Sequence, residues 1–178
     1  VDDEMTSAIG TGAQQALCEK VNSVIASTDM LALSDYAKGC LAETVIKQLI
    51  GAARAAKKLI VADPKATDLS VYADVDILTP NLEELSKYAR TGLTELATIG
   101  ATATRLAKTH HIGTIMTTLS ARGILASSAN GIQFHDPAKT RDVFDVSGAG
   151  DTVIAVISAA IASGAHLEVA VALANHAA

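Results

Sequence analysis

The spacing of apolar residues changes several times along this chain, and each change marks an element. Leu41, Val45, Ile46, Leu49, Ile50 and Ala53 recur every three or four positions, which puts them on one stripe of a helix over 41–56. Met30–Leu33 is instead a short continuous apolar run that stops at Ser34-Asp35. Lys58-Leu59-Ile60-Val61-Ala62 likewise stops at Asp63-Pro64, and both read as buried strands. The same reading gives a helix around Gly12 to Ala26, a strand over Val75 to Leu78, a short helix over Asn81 to Ala89, a longer one over Thr94 to Thr109, and a strand over Gly113 to Leu119. Gly123–Ser127 and Gly131–Phe134 predict a hairpin across Ser128-Ala129-Asn130, and two helices close the chain, the first from Val153 to Ser163.

Strands alternating with helices imply an α/β fold with a mostly parallel sheet flanked by helices on both faces. No repeat or low-complexity linker interrupts the pattern, so residues 1–178 are expected to form one domain. In open parallel sheets ligands sit beyond the carboxyl ends of the strands. Asp35, Asp63, Asn81 and Ser120 all fall at or just past such ends, which gathers polar groups at one edge of an apolar sheet.

Composition narrows the function. With 49% hydrophobic and 19% charged residues the chain is globular, and with 3% aromatic residues its core is built from Val, Ile, Leu and Ala. A net charge of -5 excludes nucleic acid or an anionic membrane as the main partner, since both require clustered Lys and Arg. The longest apolar stretch, Val153 to Ala162, is shorter than the roughly 20 residues a membrane span needs. Cys18 and Cys40 form no Cys-x-x-Cys pair, and the expected compartment is a reducing cytoplasm. The five histidines are scattered and compose no site. Val1 is not an initiator methionine and Ala178 lies within an apolar-rich run, so the chain is expected to be a piece of something longer.

The segment richest in chemistry is Asp145-Val146-Ser147-Gly148-Ala149-Gly150-Asp151-Thr152, directly before the apolar helix at Val153. A helix start offers unpaired N–H groups and the positive end of the dipole, and glycines let a phosphate approach the backbone. An acid in such a cradle would repel the phosphate unless it takes a proton from a nucleophile lined up on phosphorus. The plainer reading is that Asp151 caps the helix and the glycines make a tight turn. Asn81 and Glu84 also carry two readings. They share a helix face and could present oxygens to a hard cation, and they equally form a standard helix start. Lys38 and Lys65 are phosphate ligands, solvated loop charges or ion-pair partners of Asp35 or Asp63.

The eight-residue segment closely resembles the second signature of the ribokinase-like, or PfkB, carbohydrate kinases, with Val146 and Ser147 as mild departures. The resemblance implies an ATP- and magnesium-dependent kinase in which Asp151 is the catalytic base and the amides of Gly148, Ala149 and Gly150 form the anion hole. Asp145 and the Ser147 carbonyl match a site for a monovalent cation, K+, found in some members. Asn81-Leu82-Glu83-Glu84 looks like the family's Asn-x-x-Glu motif, associated with magnesium and phosphate. Thr118, Gly123 and Asn175 fall where the family lines its adenine pocket.

Leu33-Ser34-Asp35-Tyr36-Ala37-Lys38-Gly39 and Asp63-Pro64-Lys65 further resemble the D-β-D-heptose 7-phosphate kinases, with Asp35, Lys38, Asp63 and Lys65 toward the substrate. That likeness implies phosphorylation of heptose 7-phosphate to the 1,7-bisphosphate, within lipopolysaccharide core synthesis, and allows a homodimer in the full-length protein. The alternatives are another PfkB-type sugar or nucleoside kinase, or a nucleotide-binding module without catalysis. The family's first signature, glycine-rich and part of the sugar pocket and lid, is absent from these residues. The chain is therefore expected to be truncated at its N-terminal side and to bind nucleotide better than it turns over substrate.

Overall fold

The computed structural model describes residues 7–138 and 148–178. Its centre is a six-stranded mixed sheet in sequential order: β1 (Met30–Ser34), β2 (Leu59–Asp63), β3 (Ile77–Leu78), β4 (Thr114–Thr118), β5 (Ile124–Ser128) and β6 (Gln133–Asp136). β1 to β4 run parallel, while β5 and β6 form the antiparallel hairpin expected from the sequence. The strand expected over Val75 to Leu78 keeps only its last two residues in the ladder. Val75 instead accepts from Gly113 N–H at 3.0 Å, in the turn that feeds β4.

The helices are α1 (Thr11–Val24), α2 (Glu43–Ala55), α3 (Leu82–Ala89), α4 (Leu96–Thr109), α5 (Ala149–Ala162) and α6 (Leu167–Ala177). A sheet whose parallel strands follow one another in order, joined by crossovers of one hand, has all those crossovers on the same face. The core shows it. Leu33, Ile60, Ala62, Leu78, Ile115 and Leu125 pack with residues of α1, α2, α3 and α4 in one cluster. The intervening Val61, Ile77, Met116, Ile124 and Ala126 point the other way and pack with α5 and α6. The opposite face is therefore left to the two last helices, and this arrangement brings the start of α5 to the sheet.

Sequence chemistry explains the ends that matter for the site. Asn81 caps α3 through a reciprocal pair: its Oδ1 accepts from Glu84 N–H and Glu84 Oε2 accepts from Asn81 N–H, both at 2.9 Å. α5 starts at Gly148, whose φ of 81° is a left-handed conformation glycine adopts without a Cβ penalty. No helix among the described residues is long and apolar enough to cross a membrane.

Ile157 of α5 is fully buried against the sheet, whereas Leu173 of α6 is half exposed. Ile157→Ala should cost about 2–5 kcal/mol of unfolding free energy. Leu173→Ala should stay within about 0.5 kcal/mol, as surface changes do. Urea denaturation of the two variants checks both.

Candidate functional site

The carboxyl ends of β1 to β4, the start of β5 and the end of β6 lie along one edge of the sheet, because β4 is parallel to the first three strands and the hairpin returns twice. Asp35 follows β1 and Asp63 ends β2, and both side chains are buried, at 6% and 8% relative exposure. Asn81 pairs with Thr118 in an isolated bridge between the exits of β3 and β4. The sheet edge named from the sequence is thus the edge where these polar residues meet.

Lys65 organises its centre. Its Nζ donates to Glu84 Oε1 at 2.6 Å and lies 3.3 Å from Asp63 Oδ2. The ion-pair reading of this lysine is therefore correct, and among the described residues it leaves one of the three ammonium N–H groups for a ligand. Burial pushes the Asp63 carboxyl up to about 6. Lys65 pulls it down, while the negative charges of Glu84 and Asp151 push it further up. Burial also pulls the Lys65 ammonium down, but the Glu84 hydrogen bond and the charges of Asp63 and Glu84 outweigh it and raise the group above its ordinary value.

Asp151 stands in the first turn of α5, three residues past Gly148, and is exposed. The plainer reading, that it caps the helix, is not realised: no side-chain cap hydrogen bond forms, and Oδ1 accepts instead from the Tyr36 hydroxyl at 2.6 Å. The first intrahelical bond nearby runs from Thr152 N–H to Gly148 C=O at 2.9 Å, so the amides of Gly148, Ala149 and Gly150 precede the ladder. A Cβ at Gly148 would meet nothing within 4 Å, so the cradle is open on that side.

Sequence reasoning missed the tyrosines. The chain has three, and all three hold loops of this edge. The Tyr72 hydroxyl accepts from Lys65 N–H at 2.9 Å and Ala66 N–H at 3.1 Å, and lies 3.5 Å from Asp35 Oδ2. The Tyr88 hydroxyl donates to Ala66 C=O at 2.8 Å. Burial raises both phenols, which keeps them protonated. Tyr72 comes from a single 3-10 turn with no periodic pattern around it, and the only available signal was a large polar-tipped residue in an aromatic-poor chain.

Thr118, Gly123 and Asn175 gather at the hairpin end of the same edge. Thr118 opposes Ile124, which opposes Asp136, and Thr118 N–H donates to Pro80 C=O at 3.0 Å. Asn175 Nδ2 donates to Asp136 Oδ2 at 2.6 Å and to the Asp136 and Pro137 carbonyls, both at 3.1 Å. A side chain at Gly123, whose φ is 85°, would collide with the backbone of Asp136 to Ala138. Gly123 and Asn175 therefore secure the end of β6. Lys38 belongs to the loop after β1, beside Asp35 and Tyr36 in a cavity of about 650 Å³. Asp145 and Ser147 lie outside the described residues.

The donor set bears on a magnesium ion. Both Glu84 carboxylate oxygens and Asn81 Oδ1 already accept hydrogen bonds, yet each keeps a lone pair. Among the described residues no group of three or more His, Cys, Asp or Glu side chains forms a metal cage. The residues fit an ion that keeps its waters and is bound through them, as magnesium commonly is. Together the edge brings a carboxylate, the first-turn amides of a helix and a charged lysine to the strand exits, parts that proton removal and phosphoryl charge stabilisation require.

The model of the pfkB family carbohydrate kinase matches residues 2–178. The bifunctional protein HldE of Paramagnetospirillum magneticum is 39% identical over 177 residues, covering 99% of this chain and 36% of that protein. HldE of Acidiphilium cryptum is 36% identical over 174 residues, again 36% of its length. The chain thus spans little more than a third of these relatives. Among solved structures, a point mutant of Escherichia coli phosphofructokinase-2 superposes with a TM-score of 0.81 at 20% identity, over 92% of this chain and 54% of that one. Arabidopsis thaliana ribokinase complexed with ribose and ATP gives 0.78 at 18% identity, over 88% and 50%. These likenesses show a ribokinase-like fold.

The raised Asp63 carboxyl has a measurable effect on folding. The folded chain keeps this proton up to about pH 6, whereas the unfolded chain releases it near 3.8. The folded state therefore binds the extra proton between those values, and this contribution to stability is present at low pH and lost as pH rises through about 6. Asp63→Asn should remove that downward slope, which urea midpoints from about pH 4 to about pH 7 would reveal.

Proposed function

The chain belongs to the pfkB family of carbohydrate kinases, and from that premise we propose that it is the nucleotide-binding and catalytic portion of an ATP-dependent sugar kinase. The acceptor we assign is a sugar phosphate, heptose 7-phosphate first, phosphorylated to the 1,7-bisphosphate for lipopolysaccharide core synthesis in the cytoplasm. The observation that carries the reading is Asp151 in the first turn of α5, its carboxylate engaged by an O–H donor beside amides that precede the helix ladder. The HldE relatives and the Leu33–Gly39 and Asp63–Lys65 segments support the choice of acceptor.

In this mechanism the acceptor hydroxyl oxygen bonds to the γ-phosphorus while the bond from that phosphorus to the bridging oxygen of ADP breaks. The hydroxyl proton goes to Asp151. The amides of Gly148, Ala149 and Gly150 hold the phosphoryl oxygens, and the remaining N–H of Lys65 meets phosphate charge. Magnesium held through its waters by Glu84 and Asn81 would neutralise charge on the nucleotide phosphates. Thr118, Gly123 and Asn175 flank the adenine, and Asp35 and Lys38 lie toward the acceptor. The monovalent-cation role of Asp145 and Ser147 rests on the sequence resemblance alone. The remainder of the acceptor pocket is supplied from outside these residues.

Calorimetric titration with Mg-ATP should give micromolar to millimolar binding that Gly148→Val abolishes, since valine fills the cradle and resists a positive φ. In the longest polypeptide that carries this chain, Asp151→Asn should keep Mg-ATP affinity within about twofold while transfer to heptose 7-phosphate falls by about 10²–10⁴. Equal transfer by the variant would exclude Asp151 as the base. A panel of hexose, pentose, nucleoside and heptose acceptors ranks the substrates. Intact nucleotide binding with transfer to none of them would favour a nucleotide-binding module instead.

A further inference from the structure

The kinase chemistry leaves the Tyr36 hydroxyl unused, although it hydrogen-bonds Asp151 directly. Tyr36 is 115 residues away in sequence and 57% exposed, yet its O–H donates to Asp151 Oδ1 at 2.6 Å. The loop that carries it is fixed on both sides. Buried Asp35 accepts from Ala37 N–H at 2.9 Å, Ala37 holds a left-handed φ of 54°, and Ile9 N–H donates to Gly39 C=O at 2.9 Å. An exposed side chain on so constrained a loop is held where it is by the backbone. A hydroxyl donating to Asp151 is also the contact an acceptor must make before its proton is taken. The hydrogen bond raises the Tyr36 phenol above its ordinary value, which keeps it a donor.

We propose that Tyr36 is a specificity-determining residue that occupies Asp151 until the acceptor arrives, and so withholds the base from water. The inference rests on the reading of Asp151 as the base. In an open site water is always at hand. If it were lined up on the γ-phosphorus, its oxygen would bond to that phosphorus, the bond to the bridging oxygen of ADP would break, and its proton would go to Asp151, leaving ADP and phosphate. With Tyr36 donating to Oδ1, the phenol fills one acceptor position of that oxygen, and a water must displace it to sit there. A sugar phosphate held by its other contacts presents its hydroxyl at a very high effective concentration and displaces one phenol, whereas a single water gains nothing comparable by doing so. Tyr36 thus selects between acceptors through the base and touches no phosphate itself.

The test is acceptor-free release of ADP and phosphate from Mg-ATP, together with steady-state transfer to heptose 7-phosphate. It compares wild type, Y36F, D151N and the double variant in the longest polypeptide carrying this chain. Removing one solvent-exposed hydrogen bond should raise hydrolysis by Y36F about three- to tenfold and lower the acceptor KM by a similar factor. The double variant should return to the D151N level. Loss of a merely structural contact would lower hydrolysis and transfer together. Thermal melting confirms that Y36F folds, and Tyr36→Leu serves as the second variant if it does not. Hydrolysis that stays level or falls in Y36F, while D151N loses transfer, overturns the guard and leaves the kinase reading standing. Full transfer by D151N removes the base and the guard with it.

Discussion

Lys65 sits between two carboxylates that would otherwise repel each other at a buried sheet edge, and the rest of the site is arranged around that pairing. Asp63 comes from the end of β2 and Glu84 from the first turn of α3, and the ammonium bridges them at 3.3 and 2.6 Å. An unpaired charge so little exposed to water would be costly, whereas a paired and hydrogen-bonded one is tolerated. Glu84 is tied at its other oxygen to the Asn81 backbone, so the same residue ends the electrostatic network and starts a helix. Moving Lys65 would disturb a cap, a strand end and the field at Asp151 together.

Topology decides which element faces this network. Four parallel strands in sequential order put their crossovers on one face, so the other is covered by the helices that come after the hairpin. The first of these is α5, whose packing through Val153, Ile154 and Ile157 directs its amino-terminal turn to the carboxyl edge. A helix start at a strand-exit edge is a site for anionic ligands by its dipole and free amides alone. An acid there is placed to add proton chemistry, which is what the proposed mechanism asks of Asp151.

The chain is poor in aromatic residues, and its three tyrosines are spent on these loops. Tyr72 and Tyr88 are anchored among aliphatic side chains and use their hydroxyls to fix the Lys65–Ala66 backbone from two sides. Tyr36 does the converse, standing exposed and reaching a carboxylate. One residue type thus both anchors loops from within the core and reaches an exposed carboxylate, because a phenol couples a large apolar body to a single polar tip.

The order of elements, the hairpin, the sheet edge and the Gly-Ala-Gly-Asp turn were legible in the chain, because each rests on local periods and local stereochemistry. Helix and strand spacing settled α2, β1 and β2, and the eight residues ending at Thr152 carried the resemblance to the family that the comparisons show. Two dual readings, Asn81–Glu84 as cap or cation site and Lys65 as phosphate ligand or ion-pair partner, could not be settled there, since each choice depends on a neighbour far away in sequence. The fold made the cap and the ion pair real while leaving lone pairs and one N–H to spare. The sequence by itself determined the elements and the family. Only the tertiary structure decided the partners of Asp151, Asp35 and Lys65, because those contacts join strand exits whose proximity is fixed by sheet order and by which face each helix covers.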